Sequence, residues 1–361
     1  MGAAYRDRIE ALRRKLDRTE AEAWLSLSEP DNFYLTGFTG DKSALILTRD
    51  EAVFLCDGRF IEQAQVEVAN GRIEEAKGCF LAAVGKQLEA LGPGMVAFDP
   101  DALTVGQLDL LEAAYDGPFA AVSGLVTGLR VAKSSEEIER IRLASELAET
   151  VLRDVLDGIE EGVSEMELAA RIEYEFKRRG ATGPAFPTIA LFGSRSSLPH
   201  GQPGPRTLKP GDIILIDMGC RRDGYCSDLT RTFSYATIPG TWFDEIYRVV
   251  FAAQQAALAH VRAGVHCRDV DALARDIIDK AGYGKHFGHG LGHGVGIEVH
   301  ESPRLNSESD ALLEPGMVVT VEPGVYLPGQ DGVRIEDLVV VTEQGCDILT
   351  RTPKELKVLG K

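Results

Sequence analysis

Three of the chain's seven histidines, His289, His293 and His300, fall in one glycine-rich stretch, GHGLGHGVGIEVHESP, from Gly288 to Pro303. Glycine lets backbone approach a ligand closely. Histidine supplies a metal-binding nitrogen and a proton carrier that titrates near neutral pH. The pairing marks a site, and acids set inside apolar strands mark more of it. In GDIILIDMGCRRDGYCSDLTRTF, Asp217 follows an apolar run and Asp228 lies on the return strand. A turn at Arg222-Asp223 would set those two acids opposite one another. In GMVVTVEPGVYLPGQDGVRIEDLVVV, Glu322 and Glu336 flank a loop centred on Gly329, and the same arithmetic faces them across a second hairpin.

Unpaired charge inside a protein costs several kcal/mol per ion, so acids in buried strands need partners. Arg231 and Arg334 lie near enough in sequence to serve. Any one of the four acids reads most simply as ion-paired or on an edge strand. Four in matched pairs beside a glycine-framed histidine are hard to explain that way. One divalent ion among four carboxylates leaves about −2, whereas two leave roughly zero, which favours two. An oxygen-rich set with one imidazole suits Mn, Co, Fe or Zn, and two such ions can hold and activate a water for hydrolysis.

The elements that would carry these residues divide the chain near residue 130. Before it, EAWLSL, SALILTR, AVFLC and MVAF read as strands, and 5–18, 59–70 and 104–115 as helices, giving a small α/β domain over 1–130. After it, Ser134 with Glu137 forms a capping box that opens a helix over 135–161. Its apolar stripe is Ile138, Ile141, Ala148, Leu152, Val155 and Ile159. A second box, Ser164 with Glu167, opens a helix that ends at Gly180. A strand pair follows around 213–219 and 226–234; helices at 242–263 and 268–281 then precede another pair around 317–322 and 334–341. Two helices and a hairpin, twice over, predict a pseudo-symmetric α+β domain across 131–361.

Bulk properties narrow the function classes. A net charge of −17 argues against nucleic-acid binding. No run of 18 apolar residues and no signal-peptide core occur, and Arg6 stands where a myristoylation motif needs Ser or Thr. The six cysteines are scattered without a C-x-x-C pair, which reads as free thiols in a cytoplasmic protein. No dinucleotide fingerprint, P-loop, H-E-x-x-H or nucleophile elbow is present. His260, His266 and His286 read as surface or loop residues, Cys220 and Cys226 as packing residues, and Trp24 as core.

Taken in order, Asp217, Asp228, His293, Glu322 and Glu336 resemble the dinuclear metal set of the pita-bread metallopeptidases, family M24. The contexts DMGC, GYCSDLTRTF, GHGLGHGVGIEVHE, VEPGVY and GVRIED resemble that family too, from about residue 130 to the end. NFYLTGFTG and LCDGRF resemble the smaller domain that precedes it in aminopeptidase P, prolidase and creatinase, so the likeness is to the Xaa-Pro branch. The resemblance implies Asp228 and Glu336 bridging two ions (Mn foremost, with Co, Zn or Fe as alternatives), Asp217 on one, and His293 and Glu322 on the other. Glu322 would be the general base in an attack by metal-bound hydroxide. His200 would lie over the substrate, and His300 would hold the tetrahedral intermediate and pass a proton. Arg334 and His289 would line the substrate side, ordering Glu or the substrate carboxylate, with a plain loop cap the other reading of His289. The partner implied is a peptide with proline at its second position, and the assembly a homodimer. The rival readings are a metal-free creatinase-like amidinohydrolase and a non-catalytic peptide-binding module.

Overall fold

A computed structural model describes residues 2–360 and divides the chain into two units, one ending at Arg130 and one beginning at Val131. In the first, six strands form a mixed sheet in the order Arg72–Ala76, Ala52–Asp57, Ser43–Thr48, Ala23–Ser26, Val96–Phe98, Phe119–Ala121. Its core includes Leu25, Ile46, Leu55, Val84 and Leu88. Three of the described helices there lie outside the sequence expectation: Glu29–Thr36, Phe80–Leu91 and the short Thr127–Arg130. The signals of Glu29–Thr36 are short-range ones: Ser28 caps the Asp31 amide, proline enters in the first turn, and Gly37 closes the end at φ 87°.

The second unit repeats a plan. Helices Ser135–Asp157 and Glu165–Arg178, both opened by the expected capping boxes, cover a sheet ordered Val358–Leu359, Leu229–Tyr235, Ile213–Met218, Ile189–Phe192. The stripe of the first helix is buried at Ile141, Ala148 and Leu152 and half-buried at Ile138 and Val155; the helix stops short of the expected residue 161, and Ile159 is buried just beyond its end. Helices Thr241–His260 and Cys267–Lys280 cover a five-stranded sheet ordered Glu301–Leu305, Gly292–Gly294, Val318–Val321, Asp337–Val341, Cys346–Ile348. Among the described residues no helix is long and apolar enough to cross a membrane.

Strand alternation explains how acids survive inside these sheets. Ile214, Ile216 and Met218 point into the first core, so Asp217 points the other way. On the partner strand, Leu229 and Phe233 fill that core while Thr230 and Thr232 take the opposite face. Val319, Val321, Val339 and Val341 fill the second core, which turns Thr320 and Leu338 to the far side of their strands. The polar residues of both hairpins therefore share one interior, with a hydrophobic core behind each.

The first hairpin corrects an expectation. Asp217 pairs with Thr230 rather than with Asp228. The turn is centred on Asp223-Gly224, both at positive φ (50° and 83°), the geometry of a tight two-residue hairpin loop. Moving the centre by one residue shifts the pairing by two, so Asp228 stays on the face of Asp217, one diagonal step away. The second hairpin has the register expected: Val321 pairs with Asp337 and Gly324 with Arg334, which leaves Glu322 and Glu336 level with each other between the two ladders.

Candidate metal centre and cleft

Where the two hairpins meet, single carboxylate oxygens of Asp217, Asp228 and Glu336 all lie within 4.8 Å of one another. His293 Nε2 is 3.3 Å from Glu322 Oε1 and 3.7 Å from Asp228 Oδ2. Its Nδ1 is 3.1 Å from the Gly294 carbonyl, an arrangement that places the ring proton there and leaves Nε2 as a bare donor toward the acids. The strand Gly292–Gly294 that carries His293 is anchored by its own amide, which donates to Thr320 Oγ1 at 3.0 Å.

The backbone holds each acid from a different direction. Glu336 N donates to Thr230 O across the hairpins, and Glu322 N donates to Leu291 O. Thr230 Oγ1 donates to Glu336 Oε2 at 2.7 Å, and Thr320 Oγ1 to Glu322 Oε1 at 3.1 Å. Asp217 Oδ1 is buried and has no hydrogen-bond partner among the described residues. Burial, then Glu336 and Asp217, push Asp228 well above the usual carboxylate range; burial, then Glu322 and Asp217, do the same to Glu336. Burial also raises Asp217, and Arg334 only partly offsets it. Burial pulls Glu322 upward as well, but when the His293 ring is protonated its bond and charge, with the charges of His289 and Arg334, bring Glu322 to about 2. Crowded acids that gain protons when left alone, beside an oxygen with no partner and a bare imidazole nitrogen, form a donor set that fits divalent cations.

Of the two expected arginines, Arg334 faces this cluster and Arg231 does not. Arg231 Nη2 binds Asp337 Oδ1 at 2.9 Å, and its Nη1 donates to the carbonyls of Thr230 and Glu336, so it braces the strands behind the site. Arg334 is buried, lines the cleft, and is committed mainly to the protein. Its Nη2 binds Asp217 Oδ2 at 2.6 Å, Nη1 donates to Tyr326 Oη and Pro199 O, and Nε donates to Thr230 Oγ1. These four bonds fix its guanidinium beside Asp217. His289 sits one step out, with Nε2 2.9 Å from Tyr326 Oη and Nδ1 2.8 Å from Gly290 O. Burial lowers its pKa.

A cleft of about 650 Å³ opens over the cluster, walled by Phe186, Pro187 and Ile189. His200 and His300 line it and are exposed at its mouth. The His300 ring stands 4.4 Å from that of His293 at 76°. Packing against the pocket, then His293 and Arg304, bring His300 down to about 4. All nine residues expected at the site therefore line the cleft. Sequence reasoning missed Thr230, Thr320, Tyr326 and Arg304. Period-two spacing from Asp228 and Glu322 points to the two threonines; nothing local pointed to the others. His266 lies elsewhere, its Nδ1 bonded to Asp310 O.

Residues 139–343 match the sequence model of metallopeptidase family M24, and residues 8–132 that of the creatinase/prolidase N-terminal domain. An Xaa-Pro dipeptidase of Pyrococcus horikoshii is 34% identical over 351 residues, covering 97% of this chain and 98% of that one. A solved Xaa-Pro dipeptidase from Bacillus anthracis superposes with a TM-score of 0.95 at 38% identity, covering 98% and 100% of the two chains. An X-Pro aminopeptidase from Thermotoga maritima superposes at 0.89 with 35% identity, covering 96% and 100%. The fold class is the one expected, an α/β domain followed by the pseudo-symmetric pita-bread domain, and the chain belongs to metallopeptidase family M24.

Proposed function

We propose that the protein is a metal-dependent exopeptidase that hydrolyses the bond preceding proline, in Xaa-Pro dipeptides or at the N-terminus of longer peptides. The observation that carries this reading is the carboxylate cluster of Asp217, Asp228 and Glu336, with His293 and Glu322 alongside, at the floor of a single cleft. Neither a metal-free amidinohydrolase nor a binding module accounts for so costly a concentration of buried acids. Asp228 and Glu336 would be the acids shared by two ions, with Asp217 holding one, and His293 and Glu322 the other. When bound, such ions supply Lewis acidity that polarises a carbonyl and acidifies water. Manganese is the ion we expect, on an oxygen-dominated donor set.

The chain's own groups do the rest. Glu322, 3.3 Å from His293 at the edge of the acid cluster, would accept the proton of the attacking water. His300, neutral at pH 7 with its pKa near 4, offers a hydrogen bond to an oxygen that gains charge beside it. His200, also lining the cleft, would serve the departing nitrogen, which in an Xaa-Pro bond is a tertiary amide and leaves only when protonated. Phe186, Pro187 and Ile189 give the apolar wall that side chains of a short peptide need. Arg304 lines the same cleft and forms no ion pair among the described residues. It is the cation available to a free peptide carboxylate, which favours a dipeptide.

The test strips the protein with chelator, restores Mn, Co or Zn, and compares an Xaa-Pro dipeptide with an Xaa-Pro-Yaa tripeptide. Metal-dependent cleavage of the dipeptide is the expected result, weakened in Arg304→Ala chiefly through KM. Release of the first residue from the tripeptide with equal efficiency makes it an aminopeptidase. Turnover of neither substrate overturns the proposal.

A further inference from the structure

We propose that Asp271 and Arg275, on the helix Cys267–Lys280 behind the cleft, are positioning residues for both sides of the metal centre, an inference that rests on the peptidase reading above. The segment they hold cannot hold itself. Gly288, Gly290 and Gly292 alternate through it, and a run with so few side chains has little of its own to restrict its backbone. Yet it must present His289 and His293 in fixed directions.

The helix supplies the restraint. Asp271 is fully buried, and its Oδ1 accepts the Leu291 amide at 3.0 Å. Its two oxygens also take a two-pronged bond from Arg275, at 2.8 and 2.9 Å, one turn along the same helix. Arg275 then reaches outward, with Nη1 donating to Phe287 O at 3.1 Å and Nη2 to His289 O at 2.8 Å. Its guanidinium carbon stands 4.3 Å from the Phe287 ring centroid. An i,i+4 pair that only steadied its own helix would contribute a few tenths of a kcal/mol and need touch nothing else. This one binds three backbone groups of a single loop, at residues 287, 289 and 291.

Two routes run from that clamp to the acids. Leu291, held by Asp271, accepts the Glu322 amide at 2.8 Å and stands two residues before His293. His289, held through its carbonyl by Arg275, bonds Tyr326 Oη, which accepts from Arg334, which binds Asp217. One carboxylate–guanidinium pair thus sets the backbone under the His293–Glu322 side, and the ring that begins the chain to the Asp217 side. Removing groups that orient metal ligands typically costs about 10- to 100-fold in affinity or activity.

Arg275→Met tests this, because it keeps an unbranched apolar stem and removes the fork, on a side chain 33% exposed that has room to change. Arg275→Lys restores the charge and part of the bonding. Lys280→Ala, on the same helix and 79% exposed, is the control. Three quantities are measured on full-length protein: thermal unfolding without metal, Mn²⁺ affinity by calorimetric titration, and kcat and KM on an Xaa-Pro dipeptide. The expected result for Arg275→Met is Mn²⁺ affinity about tenfold weaker and kcat about tenfold lower, with a metal-free midpoint matching the Lys280→Ala control and partial recovery in Arg275→Lys. Wild-type Mn²⁺ affinity in Arg275→Met overturns the proposal. So does a loss of affinity that merely tracks a fall in the metal-free midpoint. If Arg275→Met fails to fold, the same criteria apply to Arg275→Lys, expected to lie between wild type and a tenfold loss. If wild type binds Mn²⁺ but cleaves no Xaa-Pro substrate, the peptidase reading fails on its own, and the titration still decides the clamp.

Discussion

Burial and the like charge of Asp212 push the Asp331 carboxyl up to about 6, against a partial offset from Arg206. Between 3.8 and about 6 the folded chain keeps a proton on Asp331 that the unfolded chain has released. The folded state binds more protons in that window, so this group's contribution to stability falls as pH rises through it. Asp331→Asn, compared with wild type by urea midpoints below 3.8 and above 6, should lose less stability on the way up; identical slopes refute the assignment. At this scale the sequence told residue types well and partnerships poorly. Asp217, Asp228, His293, Glu322 and Glu336 were legible because each breaks an apolar or glycine-rich pattern. Both Arg231 and Arg334 were offered as partners for these acids, and only Arg334 pairs with one of them, Asp217; the choice depends on contacts from residues as far off as Pro199 and Thr230.

The hairpins act as units, and Gly219 is where the first is most tightly drawn. A Cβ there would sit 1.9 Å from the Ser227 carbonyl oxygen, on backbone that cannot swing aside. Gly219→Ala should therefore cost about 2–3 kcal/mol in urea unfolding, and should also weaken Mn²⁺ binding, since Asp217 and Asp228 lie just to either side. A loss well below 1 kcal/mol with unchanged affinity would show that the strands part there freely. Both hairpins could be read from their apolar runs, and the second was centred correctly on Gly329. The first was misjudged because Arg222-Asp223 looked like its middle, whereas the Asp-Gly dipeptide one step on is the stronger turn signal. The strand Gly292–Gly294 escaped notice for a different reason: with glycine on both sides of His293, no alternation of apolar and polar residues exists to be seen.

For the whole molecule, the domain order, the doubled plan of helices and hairpin, and the family were all legible, since each rests on long apolar patterns or several motifs in order. Substrate length was not, because the cleft is lined from segments remote in sequence, the loop near 199–203 and the end of the strand Glu301–Leu305 with Asn306. Loading the protein with Mn²⁺ should slow amide hydrogen exchange most in three stretches, 213–235, 287–305 and 318–337, which carry the five expected ligands. Protection spread evenly along the chain would argue against a local centre. The arrangement of cores has a mechanical corollary. Asp217 and Asp228 ride on strands packed over one hydrophobic core, and His293, Glu322 and Glu336 belong to the part packed over the other. Ions shared between them would act as rivets through a seam, so the rate at which the protein surrenders its metal would be a clock for how often its two halves breathe apart.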